Sequence, residues 1–226
     1  MSHTMSPGKV SSLVVMLLIT ACRQAPEATQ PTAEAPAPVQ ATPAATAVRP
    51  FNPNFHEIKG NGVSLFLPPG YEGGNPQADI EEVAERLDGA GAEYDHLSQA
   101  LRETKEAVSL IAFDTQQASS GFVTNVNVAS QALPRPLTAR EYIDVLAGKL
   151  RELEGYTVRQ IGVEVINDNE VGRLVVEIRA GEVEIVQLFY AVPNNQQFWL
   201  VRYSTPKQEF ERRRRDFEQS ILTFQY

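Results

Sequence analysis

The sequence predicts an α+β domain with a largely antiparallel sheet sandwiched between helices, preceded by a signal peptide and a disordered tether. Three observations carry this. Four β-like segments between residues 156 and 204 are joined only by short turns, which excludes parallel crossovers. Segments with helical apolar spacing and capping residues flank them. The N-terminal quarter holds almost nothing that could build a core.

The chain divides into residues 1–21, a signal peptide; 22–53, a Pro/Ala/Thr-rich tether; and 54–226, the globular domain. Within the domain, Gly62 to Leu67 reads as a strand closed by Pro68-Pro69-Gly70. The stretch Gly70 to Pro76 is rich in helix breakers and is expected to be an irregular loop. Two helical stripes follow, Ile80, Val83, Ala84 and Leu87, then Tyr94, Leu97 and Leu101, separated by Gly89 and Gly91. Val108–Phe113 and Phe122–Val128 read as strands. In the second, Val126 and Val128 share a face, and Asn125 and Asn127 the other.

Thr138 and Glu141 form a capping box at the start of a helix whose stripe is Ile143, Leu146, Leu150 and Leu153, with Gly155 as its stop. The meander strands are read at 156–166, 171–179, 183–192 and 197–204, with turns at Asn167–Glu170, Ala180–Glu182 and Pro193–Gln196. Val183 to Val192 is apolar on both parities, so both sheet faces should be covered there. Thr205-Pro206 is expected to open the last helix, with Gln208 completing a second capping box and Phe210, Phe217, Ile221 and Phe224 as its core side.

The N-terminus is an address. Val10 to Ala21 is apolar but far short of the roughly 20 residues that span a bilayer as a helix. With Lys9 before it, the run suits a signal peptide. Ile19-Thr20-Ala21-Cys22 resembles the lipobox of bacterial lipoproteins. The resemblance implies diacylglycerol on Cys22, cleavage before it and acylation, with palmitate or a similar chain, of the new amino group. Residue 23 is Arg, so an Asp retention signal is absent from that position. The expected place is the extracytoplasmic side of a cell membrane, the outer membrane where there are two. From Arg23 to Pro53, prolines at 26, 31, 36, 38, 43, 50 and 53 break helices and keep the tether extended.

A second resemblance covers roughly residues 55 to 226. "GVSLFLPPGY", "GFVTNVNVASQALPRPLTAREYI" and "FWLVRYSTPKQEFERRRRDFEQSILTF" are similar to the PsbP family. That family's α-β-α sandwich is shared by the photosystem II extrinsic protein, the Mog-type Ran-binding factor and mycobacterial LpqN-type lipoproteins. It implies non-enzymatic binding or assembly work. None of the family's functional positions maps onto this chain.

Composition narrows the chemistry. With 42% hydrophobic residues the domain can build a core, and a net charge of −8 disfavours nucleic acid as a partner. One cysteine and three histidines argue against a disulfide, a Cys-rich zinc or iron–sulfur site and a His-dominated metal centre. The G-x-S-x-G, H-E-x-x-H, Walker A and G-x-G-x-x-G signatures are absent.

The remaining candidates have bland readings. Glu93 and His96 share a helix face, and His56-Glu57 is a polar pair before a strand. Asn167–Glu170 offers oxygens but lacks the length of a calcium loop. Asp114 is a conceivable general base with nothing to pair with. Arg212–Arg215 is read as a solvated face neutralised by pairs such as Glu209–Arg213 and Glu211–Arg215, because four consecutive helical residues cannot form one patch. Tyr190, Trp199 and Tyr203 are read as core. No catalytic residue, cofactor or metal is expected, and Cys22 is the lipidation site. A monomer is expected, in contact with the membrane through its anchor and with an unidentified protein or lipid partner. The main alternative is a carrier holding an apolar ligand between sheet and helix; an extracytoplasmic hydrolase is a more distant one.

Overall fold

The computed structural model describes residues 52–78, 108–119 and 122–226. Cys22, the signal peptide, nearly all of the tether, the two helical stripes between 80 and 101, and Glu93 with His96 lie outside the described residues.

The described chain runs β1 (His56–Lys59), β2 (Ser64–Leu67), β3 (Tyr71–Gly74), β4 (Leu110–Ser119), β5 (Phe122–Ala132), α1 (Ala139–Arg151), β6 (Tyr156–Ile166), β7 (Asn169–Ala180), β8 (Val183–Asn194), β9 (Gln197–Pro206) and α2 (Phe210–Ile221). A 3-10 turn, Lys207–Glu209, joins the last two. Strands β3 to β9 form a seven-stranded sheet in the order β3-β4-β5-β9-β8-β7-β6. Each of its pairings is antiparallel, and β1 and β2 form a separate hairpin.

Period-two alternation distributes the core over both faces. Leu110, Val126, Val201, Leu188 and Tyr190 meet Phe210, Phe217, Ile221 and Phe224 of α2, with Leu65 and Leu67 of the hairpin at the same layer. On the opposite face Leu174, Val176, Ile185 and Phe189 meet Tyr142, Ile143, Ala147 and Leu150 of α1. Both parities of β8 are buried from Ile185 to Val192, as the apolar pattern requires. This is the predicted antiparallel sheet sandwiched between helices.

The meander turns are tighter than their sequence suggested. Asn167 and Asp168 both take positive φ, 49° and 66°, and Ile166 pairs with Asn169, a two-residue hairpin of the kind that Asn and Asp favour. The capping box on α1 is present in both directions: the Thr138 hydroxyl accepts from the Glu141 amide, and the Thr138 amide donates to the Glu141 carboxylate at 2.8 Å.

Three expectations are corrected. Tyr71–Gly74 is an edge strand, not an irregular loop. An edge strand pairs on one side only, and Gly73 lies so close to the Ile111 carbonyl that a Cβ there would collide with it. The second correction is at Thr205-Pro206, which ends β9 rather than opening a helix. The Thr205 hydroxyl is taken by Thr124 at 2.9 Å inside the sheet, and α2 starts at Phe210 without a side-chain cap. His56 and Glu57, read as preceding a strand, lie within β1.

Phe217 is 1% exposed and stacks on Tyr203, with ring centroids 4.8 Å apart. Phe217→Ala should cost about 3–5 kcal/mol. Chemical denaturation checks this; a loss below about 1 kcal/mol would mean that α2 is not seated on the sheet as described.

Candidate functional site

The site lies where the β3 edge of the sheet meets the first turns of α2. Asp114 continues the inward parity of Leu110 and Ala112 on β4, so its carboxylate points at the face that α2 covers. On α2, Arg213 falls between Phe210 and Phe217 on the buried stripe. The two charges are therefore delivered to the same interior layer by apolar patterns on separate elements. Arg213 Nη1 donates to Asp114 Oδ2 at 2.7 Å, and its Nε donates to Glu209 Oε2 at 2.6 Å. The side chains of Asp114, Glu209 and Arg213 are only 6%, 11% and 9% exposed. Arg212 adds a contact to Glu209 at 3.1 Å from the solvent side.

Beside this cluster is an open notch of about 190 Å³ lined by Pro68, Pro69, Tyr71, Asp114, Gln116, Arg212, Arg213, Asp216 and Phe217. Tyr71 is buried, and its hydroxyl sits against the Arg213 guanidinium. Burial pushes that phenol up, Arg213 opposes the rise, and Asp114 and Asp216 add to it, which places the hydroxyl among all three charges. Asp114 Oδ1 accepts the Gln116 amide at 3.1 Å. Burial also pushes the Asp216 carboxyl up, against the pull of Arg213, Arg215 and Arg212.

The sequence candidates separate here. The structure brings Asp114 together with Arg213, so the supposed lone general base is one end of a buried ion pair. Arg213 likewise departs from the expected solvated face; of the anticipated pairs, Glu209–Arg213 is present. The expected Glu211–Arg215 pair is not formed: Glu211 lies 3.9 Å from Arg214, whose Nε is held by Glu218 at 2.8 Å. A second buried arginine, Arg173 on β7, meets Glu164 at 3.1 Å and Glu218 at 3.4 Å on the other flank of α2. Asn167 spends its amide on the Leu222 carbonyl, which makes that turn a staple for the end of α2. His56 Nε2 lies 2.9 Å from the Tyr71 carbonyl oxygen, next to the notch. Tyr190, Trp199 and Tyr203 are core. Among the described residues no three of His, Cys, Asp and Glu converge as a metal site would require.

Sequence reasoning missed Tyr71, Asp216 and the buried state of Arg213. The available signal was a charged residue in each of two apolar patterns, Asp114 after Leu110 and Ala112, and Arg213 between Phe210 and Phe217.

No protein-family model matches the chain, and no curated protein matches it in sequence. Solved structures similar to it include PsbP of the cyanobacterium Synechocystis sp. PCC 6803, at 11% identity and a TM-score of 0.48 over 83% of this chain and 97% of that one. LpqN of Mycobacterium tuberculosis, involved in cell envelope biogenesis, is similar at 9% identity and 0.48 over 75% and 88%. A mutant of Mog1 is similar at 11% identity and 0.48 over 76% and 95%. The sequence resemblance named the same three kinds of protein.

Two outcomes test the site. Asp114→Ala leaves Arg213 short of a buried counter-charge and should destabilise by about 3–5 kcal/mol in denaturant unfolding. Asp216 acts in the opposite sense. Its folded-state pKa is raised above the ordinary 3.8, so its contribution to stability is complete below that value and lost as pH rises through the folded pKa. Asp216→Asn should then be at least as stable as the parent at neutral pH, with the advantage shrinking toward pH 3.8. A variant clearly less stable at neutral pH would refute a carboxylate that burial disfavours in its charged form.

Proposed function

We propose that the chain is an extracytoplasmic lipoprotein, anchored through Cys22, whose domain binds a partner or assists an assembly at the membrane surface without catalysing a reaction. The observation that carries the binding half is the state of the interior under α2. Tyr190, Tyr203 and Phe217 are at most 1% exposed and fill the layer between helix and sheet. The buried arginines in that layer are spent on carboxylates, Arg213 on Asp114 and Glu209, Arg173 on the more exposed Glu164 and Glu218. A filled layer favours a binder over a carrier, which needs a lined cavity. A carboxylate clamped by a guanidinium is also poorly placed to take a proton from a substrate.

The anchoring half rests on the lipobox-like Ile19-Thr20-Ala21-Cys22 and the Pro-rich leash after it. Among the described residues no helix is long and apolar enough to cross a membrane. Attachment through several acyl chains, each buried methylene contributing about 0.8 kcal/mol, gives stable anchoring.

The full chain should partition into the detergent phase of Triton X-114, with an intact mass showing cleavage before Cys22 and a diacylglyceryl modification. Cys22→Ser should move it to the aqueous phase; unchanged partitioning defeats the anchor. Native mass spectrometry of the same material should show no non-covalent lipid, and a stoichiometric co-purified lipid would replace the binder with the carrier.

A further inference from the structure

The seven-stranded sheet ends in two edges of unequal length. Strand β3 has 4 residues and closes in Gly73-Gly74, so it offers little to pair with. Strand β6 has 11 residues and contains neither lysine nor proline, the residues that commonly blunt an edge. Beyond its ladder with β7 and the Tyr156 amide at its start, it makes no backbone hydrogen bond among the described residues.

A bulge between Val158 and Gln160 interrupts that ladder, which leaves residues 160–166 as the regular part of the edge. Their side chains divide by face. Ile161, Val163 and Val165 lie on the α1 side of the sheet, and Gln160, Gly162, Glu164 and Ile166 on the α2 side. Val165 is 73% exposed, and Ile161 and Val163 are only half-buried. An apolar row along an open, regular edge is a template for one more strand.

The row is complementary to itself. Two identical strands that pair antiparallel close as a two-fold dimer, and one residue then faces its own copy. With Glu164 on the axis, like charges would be directly opposed. With Ile161 or Gly162 there, the pairing would run into the bulge. Val163 is the midpoint of residues 160–166. Placed on the axis, Val163 meets Val163, and Ile161 of each copy meets Val165 of the other. On the opposite face Glu164 meets Gly162, where a Cβ would touch nothing within 4 Å and where Arg173 is the next residue across the ladder. This register buries the exposed Val165, opposes no like charges and uses the whole regular edge. Association stops at two copies, because only the short β3 edges remain.

We propose that the β6 edge is a self-association surface, on which a second copy of this chain pairs antiparallel through residues 160–166 with Val163 on the two-fold axis. A dimer would take the place of the monomer expected from the sequence. The inference goes beyond the binding reading and depends neither on it nor on the lipid anchor.

The test uses the full chain in detergent micelles. Sedimentation velocity should show a monomer–dimer equilibrium below about 1 mM, the order of concentration that a short tether imposes on its neighbours. Oxidised Val163→Cys should give a disulfide-linked dimer that neither the parent chain nor Val165→Cys gives, since residue 165 faces Ile161 and not its own copy. Variants at Gly162 separate pairing from folding. Gly162→Glu places a carboxylate beside Arg173 of its own chain but opposite Glu164 of the second copy, and Gly162→Lys reverses both. Gly162→Glu should therefore weaken the dimer by about fivefold and Gly162→Lys should tighten it, with Gly162→Glu at least as stable as Gly162→Lys in unfolding. A monomer at every concentration up to about 1 mM, equal cross-linking at 163 and 165, or a Gly162→Glu dimer as tight as the parent would each overturn the self-pairing. A strand of another protein as the occupant would give the first of these results. Phase partition and lipid content are untouched by all of them, so the dimer and the anchored binder fail separately.

Discussion

Arg213 sets the position of α2, and much of the domain's geometry follows from it. Two carboxylates, Asp114 on β4 and Glu209 just before the helix, hold one guanidinium at 2.7 and 2.6 Å in a nearly dry layer. Removing charges from water costs about as much as their attraction returns, so the cluster contributes less to net stability than to choosing one arrangement. Hydrophobic side chains alone would allow α2 to slide along the sheet by a turn, since Phe210, Phe217 and Ile221 repeat at helical spacing. A salt bridge with fixed donors does not allow that. Arg173 repeats the constraint on the opposite flank through Glu218, so the helix is pinned on both sides of its aromatic stripe.

The β1–β2 hairpin is placed by the same helix. Ser220 receives the Tyr203 hydroxyl and donates to the Phe66 carbonyl at 2.7 Å, while the Thr223 hydroxyl accepts the Phe66 amide at 2.9 Å. A two-stranded hairpin is marginal by itself. Here its backbone polar groups are satisfied by side chains from the end of α2, and the Ser64–Gln225 bridge continues that contact. Once the hairpin is set, Pro68 and Pro69 follow directly from β2 and form one wall of the notch. The notch is thus a consequence of where Arg213 holds the helix.

The fold class, the antiparallel meander, the covered faces of β8 and the capping box of α1 were legible because each is written in local periodicity or in residues three apart. Edge strand β3 was not, because its glycines read as breakers until a neighbouring carbonyl is seen occupying the space of a Cβ. Thr205 misled for a related reason: a hydroxyl beside Pro is a capping signal in isolation, and a cross-strand partner at Thr124 outcompeted the helix end. The site itself is non-local. Asp114 and Arg213 meet only through the tertiary fold, and no spacing rule links them. Each nevertheless stands at an apolar position of its own element, and a charge at such a position must be buried with a partner or break the pattern.

A notch no larger than a single side chain binds weakly. The best small ligands gain no more than about 1.5 kcal/mol per heavy atom, larger ones far less, and an exposed ion pair adds little in water. Attachment to a surface changes that arithmetic. A leash of some thirty residues, extended to at most roughly 90 Å, would confine the domain to a thin shell above the membrane. Partners in the same membrane would then meet it at effective concentrations set by the leash rather than by the bulk, commonly in the millimolar range. Affinity of that order suffices for capture while leaving release fast. The proposed anchor would therefore make weak binding at the domain surface effective while keeping it reversible.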